Sequence, residues 1–224
     1  MPLNIAMDGP VGAGKSSIAD EAARRLGILH LDTGAMYRAV GLFALRSGVD
    51  LNDEAAVTEL ARQADITVSH SEKGQITCLR GEDVSGLIRT EDVSLAASKV
   101  ATYSGVRAEM VALQQRLAAS TDMLVDGRDI GTRVLPNATL KIYLTATPEE
   151  RAHRRWLQLI EKDPAASEEQ VLADLKQRDY QDMHRETDPL RQAEDAVVLD
   201  STHLDFEQTV AEVLRLVREA GEKA

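Results

Sequence analysis

Cysteine is nearly absent. Cys78 stands alone in 224 residues, which excludes an internal disulfide and any cysteine-based metal site. Aromatic residues are also scarce at 3%, so a core must be built from aliphatic side chains. At 43% hydrophobic there are enough of them for one α/β domain, or one domain with an insert. No apolar run approaches the roughly 18 residues of a membrane span. The N-terminal stretch "MPLNIAMDGPVG" has neither the basic segment nor the long apolar run of a signal peptide. The expectation is a soluble, cytoplasmic protein. Positive charge is in deficit too, with 26 basic against 37 acidic residues and a net charge of −11. That argues against a general nucleic-acid binder and against a partner of anionic membranes.

The deficit falls mainly on lysine. Seven of the basic residues are Lys and 19 are Arg. Arginine grips carboxylate and phosphate bidentately, so this bias suits a small anionic ligand. A general compositional preference for arginine would give the same count. Histidine supplies no obvious general base. His30, His70, His153, His184 and His203 are scattered, and packing or surface roles are expected for each. Repeats and low-complexity segments are absent.

Five short aliphatic runs end in a charged or small residue: "LNIAMDG" (3–9), "ILHLDTG" (28–34), "MLVDGRD" (123–129), "LKIYLTA" (140–146) and "AVVLDST" (196–202). Each has the pattern of a buried parallel strand. Four carry an Asp at or just past the strand end. Helical patterns lie between them, at Ser16 to Leu26, at Ala35 to Arg46, along Val106, Met110, Leu113 and Leu117, and along Phe206, Val210, Val213, Leu214 and Val217 with Gly221 as the stop. Alternation of this kind predicts an α/β, doubly wound sheet of about five parallel strands with flanking helices, and ligands at the strand C-termini. Residues 64–102 break the rhythm. "DITVSH" and "QITCLRGEDVSG" alternate around the turn "SEKGQ", predicting a small antiparallel insert that ends in a helix near Leu95 to Ala101. The expected parts are core at 1–63, insert at 64–102, core at 103–147, helical lid at 148–190 and a core strand and helix at 191–224.

The strongest motif is "GPVGAGKSS", Gly9 through Ser17. It fits G-x-x-x-x-G-K-[ST] between a predicted strand and a predicted helix. In such a P-loop the backbone amides of Gly9, Pro10, Val11, Gly12, Ala13 and Gly14 (Pro10 lacking an N–H) wrap phosphates. Lys15 reaches the terminal phosphates, and the Ser16 hydroxyl can ligate Mg²⁺, with Ser17 beside it. Nucleoside triphosphate binding follows. An N-K-x-D guanine motif is absent, which argues against a GTPase switch.

The second half speaks to the phosphoryl acceptor. Pro148 opens a helix on which Arg151, Arg154 and Arg155 fall at i, i+3 and i+4. After the loop "DPAAS", Ser167 and Gln170 make a capping box for a second helix, where Arg178, Asp182 and Arg185 share a face. Two arginine-bearing helices across a short loop fit a lid that closes over phosphates; a solvated helical hairpin is the plainer alternative. A hydroxyl acceptor needs a base. A monophosphate, with a second pKa of about 6, needs its charge neutralised instead. Many arginines and no positioned histidine fit the second case. In "LVDGRDIGTRV" (124–134), Asp126 is either a metal-shell carboxylate or a turn cap, and Arg133 has no assigned role beyond a surface ion pair. Trp156, beside the lid arginines, is expected to pack, with adenine stacking as the alternative.

Six segments in order, "DGPVGAGKSS", "LDTGAMYR", "GEDVSGLIRTEDVSLAASKVA", "VDGRDIGT", "ERAHRR" and "RDYQDMHRETDPL", resemble the bacterial cytidylate kinases, the (d)CMP kinases of the P-loop nucleoside monophosphate kinases. The resemblance spans about residues 4 to 218. It implies phosphoryl transfer from ATP to CMP or dCMP with Mg²⁺, in pyrimidine nucleotide metabolism, by a monomer. It also implies a monophosphate site of Thr33, Tyr37, Arg38, Ser98, Arg107, Arg128, Asp129, Arg178, Asp182 and Arg185. Within it, Arg107 and Asp129 meet the cytosine, Arg38, Arg128 and Arg185 the phosphate, and Asp182, Arg178 and Ser98 the sugar. Lys15, Arg128, Arg154, Arg155 and Arg185 are the expected catalytic set. The sequence departs at Thr33, where some members have Ser, and at Ser16–Ser17, where some have Gly–Thr. The Mg²⁺ hydroxyl is therefore open between the two serines.

Overall fold

The computed structural model describes residues 2–71, 74–161 and 163–222. Residues 72 and 73 of the expected turn "SEKGQ" lie outside that range. In chain order the elements are β1 (Asn4–Asp8), α1 (Lys15–Leu26), β2 (Leu29–Asp32), α2 (Thr33–Ser47), α3 (Glu54–Arg62), β3 (Ile66–Ser71), β4 (Gly74–Leu79), β5 (Glu82–Asp83), α4 (Glu91–Val100), α5 (Ser104–Ala118), β6 (Met123–Gly127), β7 (Leu140–Thr145), α6 (Pro148–Ile160), α7 (Glu168–His184), β8 (Val197–Asp200) and α8 (Phe206–Gly221). They make a five-stranded sheet with flanking helices and a separate three-stranded antiparallel sheet. The expected α/β class is the observed one. Among the described residues no helix is long and apolar enough to cross a membrane.

The chain groups into two compact units, Leu3–Ile28 with Leu124–Ala224, and Leu29–Met123 with the first two residues. The first of these holds sheet strands in the order β6-β1-β7-β8. β1 pairs with β7 and β7 with β8, both parallel. Its aliphatic core joins Ile5, Met7, Ile18, Leu124, Ile142, Leu144, Val210 and Val213. β8 departs from the expected buried strand. It is an edge, and Val197 and Val198 are exposed while Leu199 is buried. Helices α6 and α7 carry a small core of their own, Ala152, Val171 and Leu175 with Val11, Trp156, Leu159 and Leu172 against it.

In the other unit β3, β4 and β5 form the antiparallel sheet. α4 lies so close to α2 that a Cβ on Gly41 would come within 2.9 Å of the Ala97 nitrogen. α3 and α5 approach similarly, with a notional Cβ on Gly105 only 2.3 Å from Thr58 Cγ2. The inner face of α5 is rotated from the expected one. Val106 and Met110 are buried, but so are Arg107 and Gln114, while Leu113 and Leu117 are half-buried.

Candidate active site

Gly9 begins the phosphate loop because only glycine fits there. Its φ is 153°, and a Cβ would stand 2.0 Å from the Leu144 carbonyl oxygen on β7. Gly12 and Gly14 also have positive φ, a region open to glycine at little cost. The loop runs into α1 with Gly14 at the cap position and no side chain capping the first amides. Those N–H groups face outward at the positive end of the helix dipole, which suits phosphate. Lys15 is buried, and its ammonium donates to the Pro10 carbonyl at 2.8 Å. Burial, and then the charge of Arg128, push its pKa down to about 7 against the pull of Asp126, Asp182 and Asp8. Triphosphate would relieve both effects.

Of the two serines, Ser16 is the one tied to an acid. Its Oγ donates to Asp126 Oδ2 at 2.9 Å, and Asp126 is buried at the end of β6. This favours the metal-shell alternative for Asp126. A hydroxyl and a carboxylate are hard oxygen donors and fit Mg²⁺. Among the described residues no group of three or more His, Cys, Asp or Glu could hold a metal. A bound ion would therefore draw its remaining ligands from nucleotide phosphates and water, as is usual for Mg²⁺.

The segment after β6 crosses its charges with α7. Arg128 Nε donates to Asp182 at 2.7 Å, and Asp129 pairs with Arg185 at 3.2 Å. Neighbours in sequence thus take separate partners. Burial opposes the charge on Arg128, but Asp182 overrides it and holds the pKa above the ordinary value. Burial would likewise raise Asp182, and Arg128, Arg185 and Arg178 together hold it low. Arg185 also donates to the Asp188 carbonyl. Arg178 is exposed on α7. Arg133 is an exposed partner of Asp188 at 3.7 Å.

Helices α6 and α7 hold two findings that the helical spacing did not signal. Arg151 does not stand with Arg154 and Arg155 on an open arginine face. It is buried, paired with Asp179 at 2.7 Å, and donates to the carbonyls of Val11 at 2.7 Å and Ala146 at 3.0 Å. Asp179 in turn accepts from the Val11 N–H at 3.3 Å. Both polar backbone groups of one P-loop residue are thus held by α6 and α7. Arg154, expected to act on phosphate, donates instead to Glu150, to Ser201 Oγ and to the carbonyls of Ser201 and Leu204. Those acceptors fasten it at the base of α6. Arg155 is exposed and donates to Gln158 at 3.4 Å. Trp156 packs in the lid core and donates to the Ala166 carbonyl, the packing role expected of it. The capping box on α7 is half made. Ser167 accepts from the Gln170 N–H, while the Gln170 side chain turns to Asp174.

The remaining expected residues lie in the other unit. Asp32 caps α2, accepting from the Ala35 N–H at 3.0 Å on one oxygen and from Arg38 at 2.8 Å on the other. A carboxylate engaged at both oxygens is a poor base for a hydroxyl acceptor. Arg38 Nε is buried without a hydrogen-bond partner among the described residues, an N–H that a phosphate oxygen would satisfy. Thr33 is buried at the first turn of α2. Tyr37 lies under the Arg107 guanidinium, 5.6 Å from its ring centre, and Arg107 is almost wholly buried. Ser98 is exposed on α4, its hydroxyl donating back to the Ser94 carbonyl. Three histidines make local structural contacts. His70 meets the His30 carbonyl, His153 pairs with Glu168, and His184 meets the Tyr180 carbonyl.

Residues 5–219 match the family described as cytidylate kinase. The cytidylate kinase of Caldicellulosiruptor saccharolyticus is 50% identical over 214 residues, 96% of this chain and 95% of that one. Those of Shouchella clausii and Bacillus licheniformis are 44% and 45% identical. The first covers 97% of this chain and 96% of the relative, the second 99% and 98%. Among solved structures, a protein from Eubacterium ventriosum is similar with a TM-score of 0.54 at 10% identity, covering 96% and 98% of the two chains. A gluconokinase from Sinorhizobium meliloti gives 0.50 at 15%, covering 99% and 95%. At these identities the structural likeness shows the fold alone. The sequence likeness, nearly end to end, shows more: this chain is a member of the cytidylate kinase family.

Proposed function

We infer that the protein transfers the γ-phosphoryl group of ATP to CMP or dCMP, giving ADP and CDP or dCDP, and so serves pyrimidine nucleotide metabolism. The observation that carries the chemistry is the charge arrangement beside the P-loop. Arg128 pairs with Asp182 and Arg185 with Asp129, Lys15 lies within the field of Arg128, Asp126 and Asp182, and among the described residues no histidine stands as a base. Such a set neutralises a phosphate acceptor and does not deprotonate a hydroxyl.

In this reading the P-loop amides and Lys15 hold the ATP phosphates. Mg²⁺, held by Ser16 with Asp126 behind it, would neutralise charge on them. Arg38, Arg128 and Arg185 hold the acceptor phosphate, and Arg178, Asp182 and Ser98 the sugar. Tyr37 and Thr33 line the same site. Asp129 accepts from the cytosine 4-amino group, and Arg107 donates to the ring acceptors. Uracil offers a carbonyl where cytosine offers the amine, so Asp129 would meet acceptor with acceptor. A buried mismatch of that kind is costly. Arg155 is the lid arginine we assign to the transferring group, in place of Arg154. The enzyme is taken to be a cytoplasmic monomer without nucleic-acid or membrane partners. Coupled ADP release with CMP, dCMP, UMP, AMP, GMP and hydroxyl acceptors tests the reading. Turnover should be fastest with CMP or dCMP, and no turnover with any nucleoside monophosphate would overturn it.

A further inference from the structure

Asp8 ends β1, immediately before the P-loop, and is buried. Both its oxygens are engaged. Oδ1 accepts from the Ile130 N–H and Oδ2 from the Gly131 N–H, each at 2.7 Å. These two amides open the π-helical turn Ile130–Val134, which starts directly after Asp129. Single π-helical turns are rare and cluster at functional sites. Asp129 itself sits at φ −139°, ψ 29°, outside the regular helix and strand regions, and its side chain does not cap the turn. The turn closes on itself through the Asp129 and Ile130 carbonyls, and its first two N–H groups are held from outside by Asp8. The turn also packs closely at Gly131, where a Cβ would stand 3.3 Å from Asp8 Oδ2 and 3.1 Å from Lys141 Cδ. Two short charge-assisted bonds to consecutive amides leave that backbone little freedom.

We propose that Asp8 is a specificity-positioning residue, a carboxylate that sets the Asp129 side chain at the depth where it can read the pyrimidine 4-substituent. The proposal rests on the assignment of Asp129 to the base. Asp8 touches no substrate, and its effect passes through the backbone of residues 130 and 131. Asn at position 8 keeps the shape but presents one amide NH₂ to a backbone N–H, so one bond is replaced by a donor–donor contact.

Burial lifts Asp8 to a pKa of about 6, against the two amide bonds, with Asp129 adding to the rise and Lys15 opposing it. The titratable groups facing it are those two and Tyr143, in register on β7, with the Lys141 stem beside the turn. Asp8 is then ionised at neutral pH and loses an acceptor oxygen as pH falls through about 6. The acceptor phosphates of CMP and UMP titrate alike, so the ratio of their kcat/KM values cancels that titration.

The experiment is the CMP:UMP ratio of kcat/KM for wild type, Asp8→Asn and Asp129→Asn, each from pH 5 to 8, with circular dichroism as the check on folding. The Asp8→Asn ratio at pH 7.5 should fall roughly tenfold, the scale of one lost buried hydrogen bond. Asp8 also acts on Lys15 through its charge, so KM for ATP is recorded for each variant, and the CMP:UMP ratio, in which an effect on ATP cancels, is the readout. The wild-type ratio should fall below pH 6, and the Asp8→Asn ratio should lack that step. A wild-type ratio in Asp8→Asn beside a collapsed ratio in Asp129→Asn would overturn the role of Asp8 alone. Unchanged ratios in both would remove the base assignment and the proposal with it. If Asp8→Asn does not fold, a wild-type ratio that is flat from pH 5 to 8 would still refute the proposal.

Discussion

Removing the Asp179 carboxylate should damage the P-loop from a distance. In Asp179→Ala the Arg151 guanidinium, whose side chain is 4% exposed, keeps two carbonyl acceptors but loses its ion-pair partner. Breaking a buried ion pair from one side costs about 3–5 kcal/mol. The Val11 N–H also loses its acceptor, a further cost of about 1–3 kcal/mol. The two overlap, because the gap admits water, so about 4 kcal/mol is expected in all. A domain of this kind holds about 5–15 kcal/mol, so the variant should still fold at 25 °C. Urea denaturation monitored at Trp156 measures the loss, and initial rates give KM for ATP, which should rise because Val11 belongs to the phosphate loop. Replacing both partners, Arg151→Met with Asp179→Leu, should recover part of the stability, since the unpaired charge is gone. A loss below about 1 kcal/mol in Asp179→Ala with unchanged urea dependence, against the 3–5 kcal/mol expected, would refute the reasoning.

The other predictions concern single charges. Arg155→Ala should lower kcat by at least about tenfold with little change in thermal midpoint, whereas Arg154→Ala should lower the midpoint by several degrees, about the effect of 1 kcal/mol. Stopped-assay rates and calorimetry separate the two, and the reverse pattern would return the lid role to Arg154. Arg38→Lys should raise KM for CMP more than KM for ATP, because lysine lacks the planar guanidinium fork that can hold Asp32 on one edge and a phosphate oxygen on another. Equal changes in both would count against Arg38 as an acceptor ligand. The ionisation of Asp8 should also show in stability. Its folded pKa of about 6 lies above the ordinary 3.8, so its contribution is largest below pH 3.8 and is lost as pH rises through 6. That amounts to about 3 kcal/mol at 1.36 kcal/mol per unit. The denaturation free energy of wild type minus that of Asp8→Asn should fall between pH 4 and 7, and a difference that stays constant would mean Asp8 is not buried as a charge.

The strands and most helices were legible because local rules set them. Pro148 and Ser167 marked the starts of α6 and α7, and aliphatic runs 3–9 and 140–146 became paired strands, whereas α3, capped by Asp53, was not anticipated. The P-loop was legible because glycines are forced by contacts such as that of Gly9 with Leu144. The rest depended on partners far along the chain. Arg151 and Arg154 are chemically alike at helical spacing, and only Val11, Asp179 and Ser201 distinguish a buried strut from a fastened base. One signal was available: Val171, Leu175 and Asp179 run along one stripe, so a carboxylate stood in line with the lid core. The grip of Asp8 on residues 130 and 131 spans more than 120 positions, and no local pattern announces a π-helical turn. α5 was rotated because its buried side includes Arg107 and Gln114, which a hydrophobic pattern passes over.

The central claim is phosphoryl transfer to a cytidine monophosphate, and phosphorus NMR of the products tests it most directly. With ATP, Mg²⁺ and CMP, the account predicts that the γ resonance of ATP disappears as the paired resonances of CDP and ADP grow in equal amounts. Inorganic phosphate as the product, or no change with CMP while a hydroxyl compound becomes phosphorylated, would contradict it.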